Sequence, residues 1–232
     1  VRSLVFEGQV LHGLLAVALV VGALAISRAV DDTTAGAWLG VPSAGWLRLG
    51  IAVAIAHQVW VCVWWRLEYH LAIPSRALGA RAFRIYAAGF AVLAICRIFT
   101  VVALGVANHD TFAIPEGVRW PLVVVMGALV AWLFDSVHRY FGFEHAVGAD
   151  HFFESHRSQG ICREGIFRYL PNAMYTVGFL ILWAPAIGCR SSGAVLLAAF
   201  NHAYIWVHYL ATERPDMRRI YGKPSRSIEH GS

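Results

Sequence analysis

Long apolar runs separated by short polar connections organise this chain. Charge-free runs cover Gly8–Ser27, Leu49–Trp65, Tyr169–Cys189 and Ser191–Thr212. Two less clean runs cover Ile85–Asn108, interrupted by Arg97, and Trp120–Phe134, which is short and ends at Asp135. A bilayer core asks for about 20 apolar residues per helix. The pattern therefore predicts an all-α polytopic membrane helix bundle with about six transmembrane helices. Five crossings with one re-entrant or interfacial element is the competing count. Residues 66–84, "RLEYHLAIPSRALGARAFR", keep an apolar beat and are expected along the membrane surface. The longest polar segment follows the fourth run, from Asp135 to Arg168, and leads into a tight C-terminal helical hairpin. No repeat divides the chain. It reads as a single domain over 1–232, with membrane helices in 1–134 and a cofactor and active-site core in 135–222.

Composition agrees with the pattern. Mean hydropathy is +0.58, 58% of residues are hydrophobic and 14% are charged, against about 25% charged in soluble domains. No small-residue cleavage site follows a short apolar leader, so the first run is expected to be retained. With an inside N-terminus, the inner segments hold fourteen Lys/Arg and the outer loops hold Arg28, Arg48, Arg119 and Arg190. Both termini are therefore expected in the cytoplasm. The +5 net charge is spread over juxtamembrane loops and suits lipid headgroups, with no nucleic acid expected. Cys62, Cys96, Cys162 and Cys189 show no metal or disulfide spacing. One lysine against eighteen arginines suggests a GC-rich genome and a bacterial cytoplasmic membrane.

Polar groups inside a span are expensive and face a cavity or a partner. They crowd the last hairpin: Asn201, His202, Tyr204, Trp206, His208 and Tyr209 on its returning run. Two flanking stretches carry the chemistry. In "GIFRYLPNAMYTVG", Gly165–Gly178, Pro171 suits a first helical turn, a helix N-terminus attracts a carboxylate, and Gly178 permits close approach. In "TERPDMRRIYG", Thr212–Gly222, Glu213 leaves the membrane beside Arg214.

In this order and about forty residues apart, the two stretches resemble the C-terminal core of integral-membrane methyltransferases that use S-adenosylmethionine. These are the phospholipid N-methyltransferases and isoprenylcysteine carboxyl methyltransferases. Gly165, Phe167, Met174, Tyr175, Glu213, Pro215, Met217, Tyr221 and Gly222 carry the resemblance, which looks closer to the phosphatidylethanolamine branch. Pro171, Asn172 and Ala173 replace the family's usual Arg-His-Pro, and Arg214 its second Glu. The resemblance implies methyl transfer to a membrane lipid, phosphatidylethanolamine or its partly methylated forms. Other acceptors, such as a prenylcysteine carboxylate, a thiol or an isoprenoid, are the alternative.

The residues fit that chemistry. Tyr169, Tyr175, Tyr204 and Tyr209 offer faces to a sulfonium. Arg168 and the Asn172 turn are expected to meet the methionine carboxylate, and Glu213, with Arg214 beside it, the ribose or amino group. Gly178 and His202 complete the cofactor set, with His202 equally readable as a packing histidine. An amine nucleophile must lose a proton, and Asp150 or His151 is the expected base.

Three rivals remain in view. A di-iron oxygenase needs histidine pairs such as HxxxH, whereas His138, His145, His151, His156, His202 and His208 lack that spacing, so no metal is expected. A sterol-type reductase binding NADPH is compatible with Arg214, Arg218 and Arg219. A non-enzymatic scaffold does not explain the polar crowding.

Overall fold

The computed structural model describes residues 2–222, so Lys223 and Arg226 of the charge census lie outside it. Among the described residues five helices are long and apolar enough to cross a membrane: α1 (Gln9–Ala29), α2 (Ser43–Leu71), α3 (Arg81–Ala107), α4 (Glu116–Phe141) and α6 (Ser192–Tyr221). Between the last two lies a shorter apolar helix, α5 (Ala173–Gly188). Among the described residues, strand is confined to one antiparallel pair in the α1–α2 connection, Ala37–Trp38 with Val41–Pro42.

The all-α polytopic bundle is the one expected, but the crossing predicted over Tyr169–Cys189 is not a full-length helix. A 3-10 turn occupies Gly165–Arg168, and helix begins only at Ala173. Pro171 has no N–H and pushes the residue before it out of the helical region. It therefore precedes the first turn instead of occupying it. The Asn172 carbonyl receives the amides of Tyr175 and Thr176 at 2.9 and 3.0 Å.

Two other boundaries shift. α2 continues through residues 66–71, which the apolar pattern assigns to a surface loop, and stops where Ala72 adopts φ 51°. α4 outruns its apolar stretch at both ends, because the flanking charges find partners on the same helix. Arg119 pairs with Glu116 at 2.7 Å and covers the Trp120 ring at 4.6 Å, and Arg139 pairs with Asp135 at 2.7 Å.

The core is a seam of small and branched residues shared by α2, α3 and α6, including Leu47, Ala54, Val101, Leu104, Ala194 and Leu197. Small residues let helices approach closely where lipid supplies no hydrophobic drive. Gly50 is one such contact, since a Cβ there would lie 2.3 Å from Leu197 Cδ2. At the end of the bundle where α3 stops, buried Asn108 joins two loops. Its Nδ2 donates to the carbonyls of Asp32 and Ala35 (2.6 and 2.8 Å), and its Oδ1 accepts from Ser191 Oγ and the Gly193 amide (both 2.8 Å).

Candidate active site

At the opposite end, the connection 142–172 folds over the bundle and closes a cavity of about 390 Å³. Its walls come from α2, α3, the end of α4, α5, α6 and that connection, so residues far apart in sequence meet there. Tyr175 on α5 donates its hydroxyl to Glu213 Oε2 on α6, and both side chains line the cavity. Tyr209, Phe141, Phe167 and Phe179 add aromatic surface around them.

The connection delivers Asp150 and His151 on a 3-10 turn, Ala149–His151. Gly148 introduces that turn with φ +90°, and a Cβ there would lie 2.4 Å from the Trp65 ring. Only glycine meets both demands. Closing in on Trp65 lets His151 stack on its indole, with centroids 4.0 Å apart and planes at 13°. His151 Nδ1 lies 3.1 Å from Asp150 Oδ1, and its Nε2 faces Asp216 Oδ2 at 3.7 Å, an ion-pair distance. The other Asp150 oxygen accepts from Tyr221 OH at 3.3 Å and has His145 Nε2 at 3.8 Å. His145 Nε2 also lies 3.1 Å from Tyr221 OH. Arg157 fastens the turn from outside, donating to the carbonyls of Asp150 and His151 (2.7 and 3.1 Å).

These contacts set the protonation states. Burial pushes the Asp150 carboxyl up, but the hydrogen bond and charge of His151, with His145 beyond, win and hold it below the usual range. Burial pulls His151 down, yet its two aspartates overcome that and raise it. Burial dominates at His145, which is lowered despite Asp150 nearby. The two aspartates thus favour the imidazolium at His151, and burial favours the neutral ring at His145.

Asp216, fully buried, is the hinge of the arrangement. Arg66 Nη1, His70 Nε2 and Arg219 Nη1 surround its Oδ1 at 3.3, 3.4 and 3.5 Å. Residues Tyr209–Glu213 form a π turn within α6, a feature that displaces ordinary helix hydrogen bonds. Arg66 Nη2 reaches two carbonyls of that turn, Ala211 and Thr212, at 3.3 and 3.1 Å, and Nη1 caps Leu4 O at 2.8 Å. Asp216 therefore ties α2 to the turn that aims Glu213 at Tyr175.

Of the residues singled out by sequence, Asp150, His151, Asn172, Tyr175 and Glu213 line the cavity. Arg168, Tyr169 and Arg214 are exposed and lie outside its lining, because the 3-10 turn and the last helix present them outward. Gly178 packs toward Leu133, 3.2 Å from where a Cβ would sit. His202 accepts from Trp183 Nε1 at 3.1 Å and stacks on Phe179, a packing role. Tyr204 faces a separate groove with Gln9 and His12. Sequence reasoning passed over Asp216, Arg66, Trp65, His57 and Arg97. For His57 and Arg97 the signal was a histidine and a charge inside the second and third spans, the mark of intramembrane function.

Fold and cavity together define a multi-pass helical membrane protein with a polar, aromatic-lined site at one end of its bundle. Residues 120–224, a little under half of the chain, match the family described as phospholipid methyltransferase, to which the motif resemblance also pointed. Phosphatidylethanolamine N-methyltransferase of Yarrowia lipolytica is 32% identical over 115 residues, 48% of this chain and 12% of that protein. The enzyme of that name from Scheffersomyces stipitis is 29% identical over 111 residues, 46% of this chain and 13% of its own length. The Paracoccidioides brasiliensis (strain Pb03) enzyme is 27% identical over 127 residues, 52% and 13%. The chain thus covers about an eighth of the length of these curated relatives. No solved structure matches it.

Proposed function

We propose that this chain moves a methyl group from S-adenosylmethionine to the amine of phosphatidylethanolamine or its partly methylated forms. The observation that carries the reading is the junction of Tyr175 and Glu213 inside a cavity built largely from the residues that match phospholipid methyltransferases. The cavity suits the cofactor on chemical grounds. A sulfonium lacks hydrogen-bond donors and is attracted to aromatic faces and carboxylates, which Tyr175, Tyr209, Phe179 and Glu213 supply. Buried ring nitrogens without partners, both of His208 and Nε2 of His57, leave polar positions for a ligand. When bound, the cofactor supplies an electrophilic methyl whose S–C bonding pair departs with sulfur as the N–C bond forms.

The chain's part is positioning and proton removal. A primary amine has a pKa near ~10 and must release a proton before it attacks. His151, held charged between two aspartates, has no free valence for that proton. Asp150, held below the usual carboxylate range, is a weak base. His145 is neutral, lines the cavity, and has Asp150 at 3.8 Å to stabilise the imidazolium that results. We assign His145 as base and Asp150 as its partner, with His151 and Asp216 positioning them. The core is 135–222, with α2 and α3 as walls. The Lys/Arg asymmetry favours a cytoplasmic mouth, and arginine-for-lysine usage favours a bacterial membrane.

Calorimetry with S-adenosylhomocysteine on detergent-solubilised protein, run beside NADPH, tests the cofactor. Binding of the first alone is expected, and binding of NADPH alone would replace this reading with the reductase. Chromatography of lipids from expressing cells tests the acceptor, with new methylated phosphatidylethanolamines expected.

A further inference from the structure

Among the described residues two arginines are buried in the bundle, and they differ. Arg66 has Asp216 at 3.3 Å. Arg97, midway along α3, has only neutral company among the described residues. Its Nε donates to Asn201 Oδ1 at 2.7 Å, its Nη2 to the Asn201 carbonyl at 3.5 Å, and its Nη1 to His57 Nδ1 at 3.3 Å, while Phe179 lies 5.0 Å beneath the guanidinium. These contacts satisfy N–H groups and leave the charge uncompensated. A cation at this depth is costly, and an arginine does not escape by deprotonating.

Arg97, His57 and Gln58 all line the cavity, and among the described residues Arg97 is the single Arg or Lys that does so. Because His57 Nδ1 accepts from Arg97, the ring hydrogen resides on Nε2. That N–H is buried and has no partner. A fixed cation and an idle donor thus stand together at the cavity wall, with the Gln58 amide beside them. Meanwhile Arg168, expected to meet the methionine carboxylate, is exposed and lies outside the cavity lining.

Resting on the methyltransferase reading, we propose that Arg97, His57 and Gln58 form an oxyanion subsite at the deep end of the cavity. Its ligand is the carboxylate of the donor's amino-acid part. Depth selects this source. A lipid phosphate is held at headgroup level by its acyl chains, whereas a water-soluble ligand entering past Tyr221 and Glu213 is free to reach Asn201, twelve residues further down α6.

The test compares S-adenosylhomocysteine with 5′-methylthioadenosine, which lacks the amino-acid part, by calorimetry on wild type and Arg97→Gln. The variant is expected to bind the first about 10- to 100-fold more weakly and the second unchanged, with Arg97→Lys in between. Equal affinity of wild type and Arg97→Gln for S-adenosylhomocysteine overturns the proposal. A variant that loses only saturation by short-chain phosphatidylethanolamine assigns the subsite to the lipid phosphodiester and overturns the carboxylate. No S-adenosylhomocysteine binding by wild type sinks the methyltransferase reading itself, and the phosphatidylethanolamine titration then decides whether Arg97 binds an oxyanion. If Arg97→Gln does not fold, His57→Leu and Gln58→Leu keep the charge and are expected to weaken S-adenosylhomocysteine selectively. Equal losses for both nucleosides there overturn the subsite.

Discussion

Tyr175 and Glu213, on antiparallel helices and 38 residues apart, share a hydrogen bond inside the cavity. The bond lets a carboxylate occupy a largely apolar wall without losing every donor it had in water. Glu213→Ala is expected to weaken S-adenosylhomocysteine by roughly tenfold or more, as loss of a charged hydrogen-bond partner does. Tyr175→Phe leaves Glu213 without that donor and should cost about 1–3 kcal/mol of stability. Calorimetry checks the first and thermal melts the second. Unchanged values in both would remove the pair from the site.

His145 is assigned to the proton and not to the cofactor. His145→Gln should therefore lower kcat by about 10²- to 10⁴-fold while leaving S-adenosylhomocysteine affinity as in wild type. The deficit should shrink as pH approaches the amine's own pKa, near ~10, because solvent then removes the proton. A kcat deficit constant across pH argues against a base.

His151 gives a signed pH dependence. Its folded pKa lies above the ordinary imidazole value of 6.5, so its contribution to stability is complete below pH 6.5 and is lost as pH rises through the folded pKa. Asp150 works in the other direction. Its carboxyl is depressed below 3.8, so its contribution is present above that pH and lost as pH falls through the folded value. Wild-type Tm minus that of His151→Gln should be largest between those limits and decline on the alkaline side. A difference independent of pH would mean His151 is neutral in the fold.

Gly148 holds the turn against Trp65. Gly148→Ala brings a Cβ to 2.4 Å from the indole at φ +90°, and should destabilise the protein by about 2 kcal/mol or more. Unlike a pure loop change, it should also weaken the His151–Asp150 geometry, read as a fall in kcat alongside the fall in Tm.

Much of the architecture was legible in one dimension. Apolar runs announce helices because hydrophobic length is a local property, and five of the six expected spans stand as long apolar helices. Crowded polar residues on the last hairpin and the two flanking stretches located the site, since intramembrane polarity needs a cavity wherever it occurs. Pro171 marked the one span that falls short.

What only the tertiary structure decided is who compensates whom. Arg97 is visible in sequence as an interruption, but its lack of a counter-charge depends on α2, α5 and α6 presenting His57, Phe179 and Asn201 to it. Asp216 sits inside a quoted stretch, yet its weight comes from Arg66, 150 residues earlier on α2. Arg168 and Arg214 looked like cofactor cations and face away, because a short turn and a helix rotation set direction independently of residue type. Burial and charge pairing are properties of neighbouring helices, and a linear pattern carries the helices without their neighbours.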